Sequence, residues 1–258
     1  MLFPVNPRSG PSFLREPRRA HRPLPRSLPG MNRTPQPSRS FEFGPWRALV
    51  GESTWHAVTT GFERITRTPR HRLLNQGEPG PYVFLVLRGL VWIEQCVRHG
   101  GTSCHLRGPG DLLGEASLFG EPRTATAVTL TDCQLVRVPA AELRELLRRP
   151  GLEDSVAALL HHRQRVDHLL RQFKDPLKRL AVGVHPAVRV ADGTPRDFRA
   201  IKLALSNEKV SRWLGVRRAA LVRARDRPEF VQNFASHRGA LEVLRRDWIL
   251  RTASLECR

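Results

Sequence analysis

No apolar run in the chain approaches the roughly 20 residues a membrane-spanning helix needs. The N-terminal stretch has Arg and Pro but no apolar segment of the kind a secretory signal carries. Cysteine is scarce. Cys96, Cys104, Cys133 and Cys257 stand apart, with no C-x-x-C spacing, which argues against zinc or iron–sulfur sites and fits reduced thiols in a cytosol. A phosphate-cradling P-loop, a metal-ligand set and a nucleophile–base pattern are all missing, so the chain does not read as an enzyme. The expectation is a cytoplasmic, metal-free protein without a membrane partner.

Acidic residues are also in short supply. The 258 residues hold 43 Lys and Arg against 24 Asp and Glu, a net charge of +19. The excess sits at the ends: +6 over 1–44, +3 over 45–173 and +10 over 174–258. A basic terminal segment is the electrostatic footprint of a polyanion binder. A genome-wide preference for Arg would raise the charge everywhere, and the nearly neutral middle weakens that explanation. Residues 1–44 contain nine of the 21 prolines and read as a disordered Pro/Arg-rich tail. Two readings of it stay open: translation starting at Met31, or a basic arm that contacts DNA or membrane.

The texture then changes. Residues 45–60 suit one or two short helices. From Phe62 to Pro139 short apolar runs alternate with glycine and proline, the mark of an all-β roll or barrel. A short helix is expected at 140–149 and a longer one at 153–173. On the long helix Val156, Leu159, Val166, Leu170 and Phe173 follow a heptad-like spacing that Arg163 interrupts. Such a stripe serves either ordinary core packing or a dimer seam, and the seam is the favoured reading.

Within the β region, 114–126 carries chemistry. Gly114 permits close backbone approach. A short helix at 115–119 offers the N–H groups of its first turn, including those of Ala116 and Ser117, to an anion. Arg123 supplies a charge-assisted donor and Thr124 a hydroxyl. Glu115, an acceptor when ionised, suits a ribose hydroxyl. The set fits one phosphate next to one sugar.

Residues 206–225 carry a second motif. Ser206 caps a helix whose buried face is Val210, Trp213 and Leu214; Gly215 ends it, and a second helix begins near Arg217. This is helix-turn-helix spacing. Arg217 and Arg218 sit where base edges are read, with Arg223 and Arg225 further along, and Lys209 and Arg212 suit phosphates.

The cassette 114–126, its glycine-punctuated lead-in 107–115, and the order of β-roll, long helix and basic helix-turn-helix resemble the cyclic-AMP receptor protein (Crp/Fnr-type) family of bacterial transcription regulators. The resemblance spans about 45–258. It implies an α+β fold with a jelly-roll-like cyclic-nucleotide-binding roll at 45–150, a dimerisation helix at 151–173 and a winged helix-turn-helix at 174–258. It implies cyclic AMP or cyclic GMP as effector, double-stranded DNA and a second copy of the chain as partners, and RNA polymerase as a further one. Two departures stand out. The long helix has no clear counterpart of the family's base-contacting residues: Ser155, His161, His162 and Arg163 are the polar candidates, and both histidines read as solvated. In addition, 228–242 reads as an insertion after the recognition helix, with 244–252 as the lead into a short or absent wing. The competing reading is a ligand-independent interaction module with a degenerate roll and only nonspecific DNA affinity.

Overall fold

Short apolar runs bounded by turn glycines become eight antiparallel strands in two sheets. The computed structural model describes residues 46–97, 101–188, 201–237 and 239–255. The tail 1–44 lies outside the described residues. The strands are β1 (Glu63–Arg67), β2 (Arg72–Leu74), β3 (Tyr82–Arg88), β4 (Val91–Cys96), β5 (Thr102–Arg107), β6 (Leu112–Leu113), β7 (Thr126–Thr129) and β8 (Cys133–Pro139). One sheet has the order β1-β8-β3-β6 and the other β2-β7-β4-β5. Gly89, at φ +87°, makes the β3–β4 turn, and a Cβ there would lie 2.2 Å from the Asp132 carbonyl oxygen. That turn accepts only glycine.

The uninterrupted apolar run of β3 is explained by burial on both faces. Successive strand side chains point to opposite sides. Val83 and Leu85 join Leu112, Val136 and Val138 against the helices. Phe84 and Val86 join Leu113 and Leu135 in the space between the sheets. The helices are α1 (Trp46–Gly61), α2 (Ala140–Leu147) and α3 (Ser155–Gln172). Gly51, at φ +78°, kinks α1 into two helical pieces, within the expectation of one or two short helices for 45–60.

The outer face of the second sheet is also covered. Leu90, Trp92, Cys104 and Leu106 share one core with the C-terminal region. That region comprises α4 (Pro176–Val188), β9 (Ile201–Leu203), α5 (Asn207–Leu214), α6 (Arg218–Arg225), α7 (Pro228–Asn233), β10 (Phe234–His237), β11 (Ala240–Val243) and α8 (Arg246–Leu255). Trp92 and Trp213 meet edge to face, centroids 5.4 Å apart. Gly183 of α4 makes room for this pair, since a Cβ there would come within 2.8 Å of the Trp213 ring. The layers therefore run helices, first sheet, second sheet, C-terminal domain.

One expectation needs correction. The segment 228–242 is not an insertion ahead of a later wing. It holds α7 and most of a short wing, in which β10 pairs antiparallel with β11, and β11 with β9. The segment 244–252 runs into α8, whose Ile249 is fully buried and whose Trp248 packs on Phe234. The apolar stripe of α3 is divided. Val156 and Leu159 are buried in the chain's own core, while Val166, Leu170 and Phe173 are half-buried, the first two beside a small cavity against α4.

Because roll and C-terminal domain share a core, Trp213→Ala is expected to lower the unfolding free energy by about 3–5 kcal/mol. Urea titration followed by fluorescence and circular dichroism checks this.

Candidate functional site

The cassette forms where β6 stops. Gly114 is left-handed (φ +78°), and the chain then makes a 3-10 turn over Glu115–Phe119, closed by Gly120 at φ +77°. Gly114 has a steric role as well, because a Cβ there would sit 2.3 Å from Nη1 of Arg123. Arg123 fills this space and is 6% exposed. Its Nη1 donates to the Gly114 carbonyl at 2.9 Å and to Ser117 Oγ at 2.6 Å, while Nη2 donates to the Tyr82 carbonyl. Burial pushes its guanidinium pKa down, and nearby Glu115 opposes that. Its backbone is tied to the β2–β3 connection through Gly77 and Glu78. Arg123 thus pins three segments together at the edge of a cavity.

That cavity measures about 470 Å³ and lies between the cassette, the inner side of β4, β5 and β7, and α3. Gly114, Glu115, Ala116, Arg123 and Thr124 all line it. Ser117 does not; it is buried and turned toward Arg123. Glu115 forms a 2.7 Å ion pair with Arg163 of α3, whose Nη2 also donates to the Leu112 carbonyl. The Arg163 Nε is buried with no hydrogen-bond partner among the described residues. The arginine that interrupted the apolar stripe is therefore the helix's handle on the cassette.

Alternation along β5 supplies the opposite wall. Cys104 and Leu106 face the C-terminal domain, while His105 and Arg107 face the cavity. Burial, helped by the charge of Arg163, lowers the Arg107 pKa to about 10. His105 Nδ1 lies 3.1 Å from Asp167 Oδ1 on α3, and its Nε2 lies 2.9 Å from Ser103 Oγ. Sequence reasoning missed Arg107, His105 and Asp167 as site residues. The period-2 pattern Ser103, His105, Arg107 was the available signal. Among the described residues no His/Cys/Asp/Glu cluster is arranged to hold a metal. None of the described helices is long and apolar enough to cross a membrane.

The second candidate site is the helix-turn-helix. Ser206 Oγ accepts from the Lys209 N–H, and Gly215 (φ +61°) ends α5. Arg217, Arg218 and Arg223 are exposed, as are Ala219 and Val222 of α6. Arg225 is not free to reach out: its Nη2 donates to the Ser236 carbonyl of the wing, and it stands over Phe230. Arg212 is paired with Glu208 at 2.7 Å. α5 packs against β5, and Arg212 and Lys209 lie within electrostatic reach of Cys104, whose thiol pKa burial raises to about 11.

A lysine keeps the charge of Arg123 but cannot bridge three oxygens with a planar fork. Arg123→Lys is therefore expected to cost about 1–3 kcal/mol of stability, read as a lowered thermal midpoint.

Comparison with known proteins follows the same division. Residues 65–150 match the family model of the cyclic nucleotide-binding domain. Solved structures share the wider fold. A CRP/FNR-family transcriptional regulator from Thermus thermophilus is 23% identical, with a TM-score of 0.53 over 74% of this chain and 98% of that one. A CRP-family transcriptional regulator from the same organism is 18% identical, with a TM-score of 0.55 over 73% and 96%. FixK2 from Bradyrhizobium japonicum is 17% identical, with a TM-score of 0.53 over 74% and 96%. No curated protein matches the chain.

Proposed function

We propose, from a chain whose residues 65–150 form a cyclic nucleotide-binding domain, that it is a transcription regulator gated by a cyclic nucleotide in the 470 Å³ cavity. The observation that carries this reading is the Glu115–Arg163 ion pair, which joins the cassette to the helix leading into the DNA-binding domain. In the proposed complex the phosphate sits at Gly114, Ala116, Arg123 and Thr124. The ribose hydroxyl competes with Arg163 for Glu115. Release of Arg163 lets α3 shift, and α4 and the helix-turn-helix move with it. A ligand drives such a change only through its different affinity for the two arrangements.

At the other end Arg218 and Arg223 read base edges, and Arg217 and Lys209 meet phosphates. Two copies act together on DNA. On α3 the outward positions Ala157, His161, Gln164 and His168 are exposed. The half-buried Leu160, Val166, Leu169, Leu170 and Phe173 supply the apolar part of the proposed seam between copies.

One observation favours the competing reading of a roll kept as architecture. Three of the hydrogen bonds Arg123 makes are already inside the chain. Isothermal titration with cyclic AMP and cyclic GMP decides between the two. The regulator reading expects saturable heat that Glu115→Ala weakens, and absence of heat with both nucleotides would sink it.

For DNA, footprinting is expected to reveal a palindromic site. Arg218→Ala should lose about 1–3 kcal/mol of binding and relax base preference there. Uniform, steeply salt-dependent binding with no preferred site would point to the module. Sedimentation should show dimers in free solution at micromolar concentration, and monomers there would sink the α3 seam.

A further inference from the structure

The proposed nucleotide reading leaves one end of the cavity unexplained. Its charged groups form a sequence of neighbours. Arg123 senses Glu115, Glu115 pairs with Arg163, Arg163 and Arg107 repel each other, and Arg107 is attracted first to Asp111 and then to Asp167, which lines the cavity with it. With the phosphate and ribose placed at Arg123 and Glu115, the base falls to the part of the lining that holds Arg107 and Asp167.

Those two groups are set up unlike ordinary structural charges. The Arg107 guanidinium makes one hydrogen bond among the described residues, Nη1 to its neighbour's carbonyl at Leu106, 3.2 Å. A guanidinium has five N–H donors, so most of its capacity faces the cavity unmet. Asp167 is held in place from behind. With Nδ1 of His105 donating to Oδ1, Nε2 accepts the Ser103 hydroxyl proton. This fixes the ring and orients the carboxylate.

A fixed donor fork beside a fixed acceptor matches one base. Guanine offers O6 and N7 as acceptors and N1–H and N2–H as donors. Arginine pairs with the first edge in a bidentate manner, and a carboxylate accepts from the second. Adenine keeps the N7 acceptor but puts its N6 amino donor toward Arg107 in place of O6, and its N1 lone pair would face Asp167. We infer that Arg107 and Asp167 make this a guanine-selective pocket, with Ser103 and His105 as positioning residues for Asp167. The inference rests on the nucleotide reading given above.

Titration calorimetry of the full chain with cyclic GMP, cyclic AMP and cyclic di-GMP tests it. Cyclic GMP is expected to bind about 10–100-fold more tightly than cyclic AMP, the worth of one good bidentate pair. Asp167→Asn and Arg107→Gln should each remove about tenfold or more of that preference, mainly by weakening cyclic GMP. Cyclic di-GMP binding more tightly than cyclic GMP, with the same dependence on Asp167, would support guanine recognition and identify a dinucleotide as its source. Cyclic AMP binding as tightly as cyclic GMP, or a preference unchanged in both variants, would overturn the inference and leave the nucleotide reading intact. Silence with all three ligands would overturn both. Should Asp167→Asn unfold, the wild-type ratio and Arg107→Gln decide alone.

Discussion

The alternation of strand β5 constrains everything around it. Cys104 and Leu106 are apolar and must be kept from water, and the C-terminal domain is what covers them. His105 and Arg107 are polar and point the other way into the cavity. Side chains alternate with a period of two, so a slip of one residue would exchange the two faces entirely. Pairing with β4 from Val91↔Arg107 to Cys96↔Thr102 holds the register against that. The cavity and the C-terminal domain therefore share a wall one strand thick.

Much of this was legible in the chain. Turn glycines and short apolar runs marked the roll, because glycine takes left-handed backbone without penalty. The Ser206 cap and Gly215 marked the helix-turn-helix at both ends of its first helix. The misplaced wing has a physical cause. Strands of four residues, such as Phe234–His237, carry little periodic signal. The apolar triplet Trp248-Ile249-Leu250 fits a strand as well as a buried helix, and here it is helical. Pro228 is the first residue of α7.

The long helix shows the other limit. Periodicity reveals that Val156, Leu159, Val166 and Leu170 share a face, but not whose core covers it. Here the covering surfaces are the chain's own roll and α4. Long-range ion pairs are likewise invisible: Glu115 and Arg163 lie 48 positions apart in the chain, and so do not announce each other. Arg123 was legible as a residue type and only partly as a role. Its bonds to Gly114, Ser117 and Tyr82 make it a strut for the cassette whether or not a phosphate arrives.

The two faces of β5 also separate what can vary from what cannot. Odd positions 103, 105 and 107 meet the cavity side, while even positions 104 and 106 meet the C-terminal domain. Substitutions at the odd positions alter what the cavity can hold, while the even residues keep the C-terminal domain docked as before. The strand is a modular boundary within a single ladder, one face of which can diversify without undocking the domain on the other.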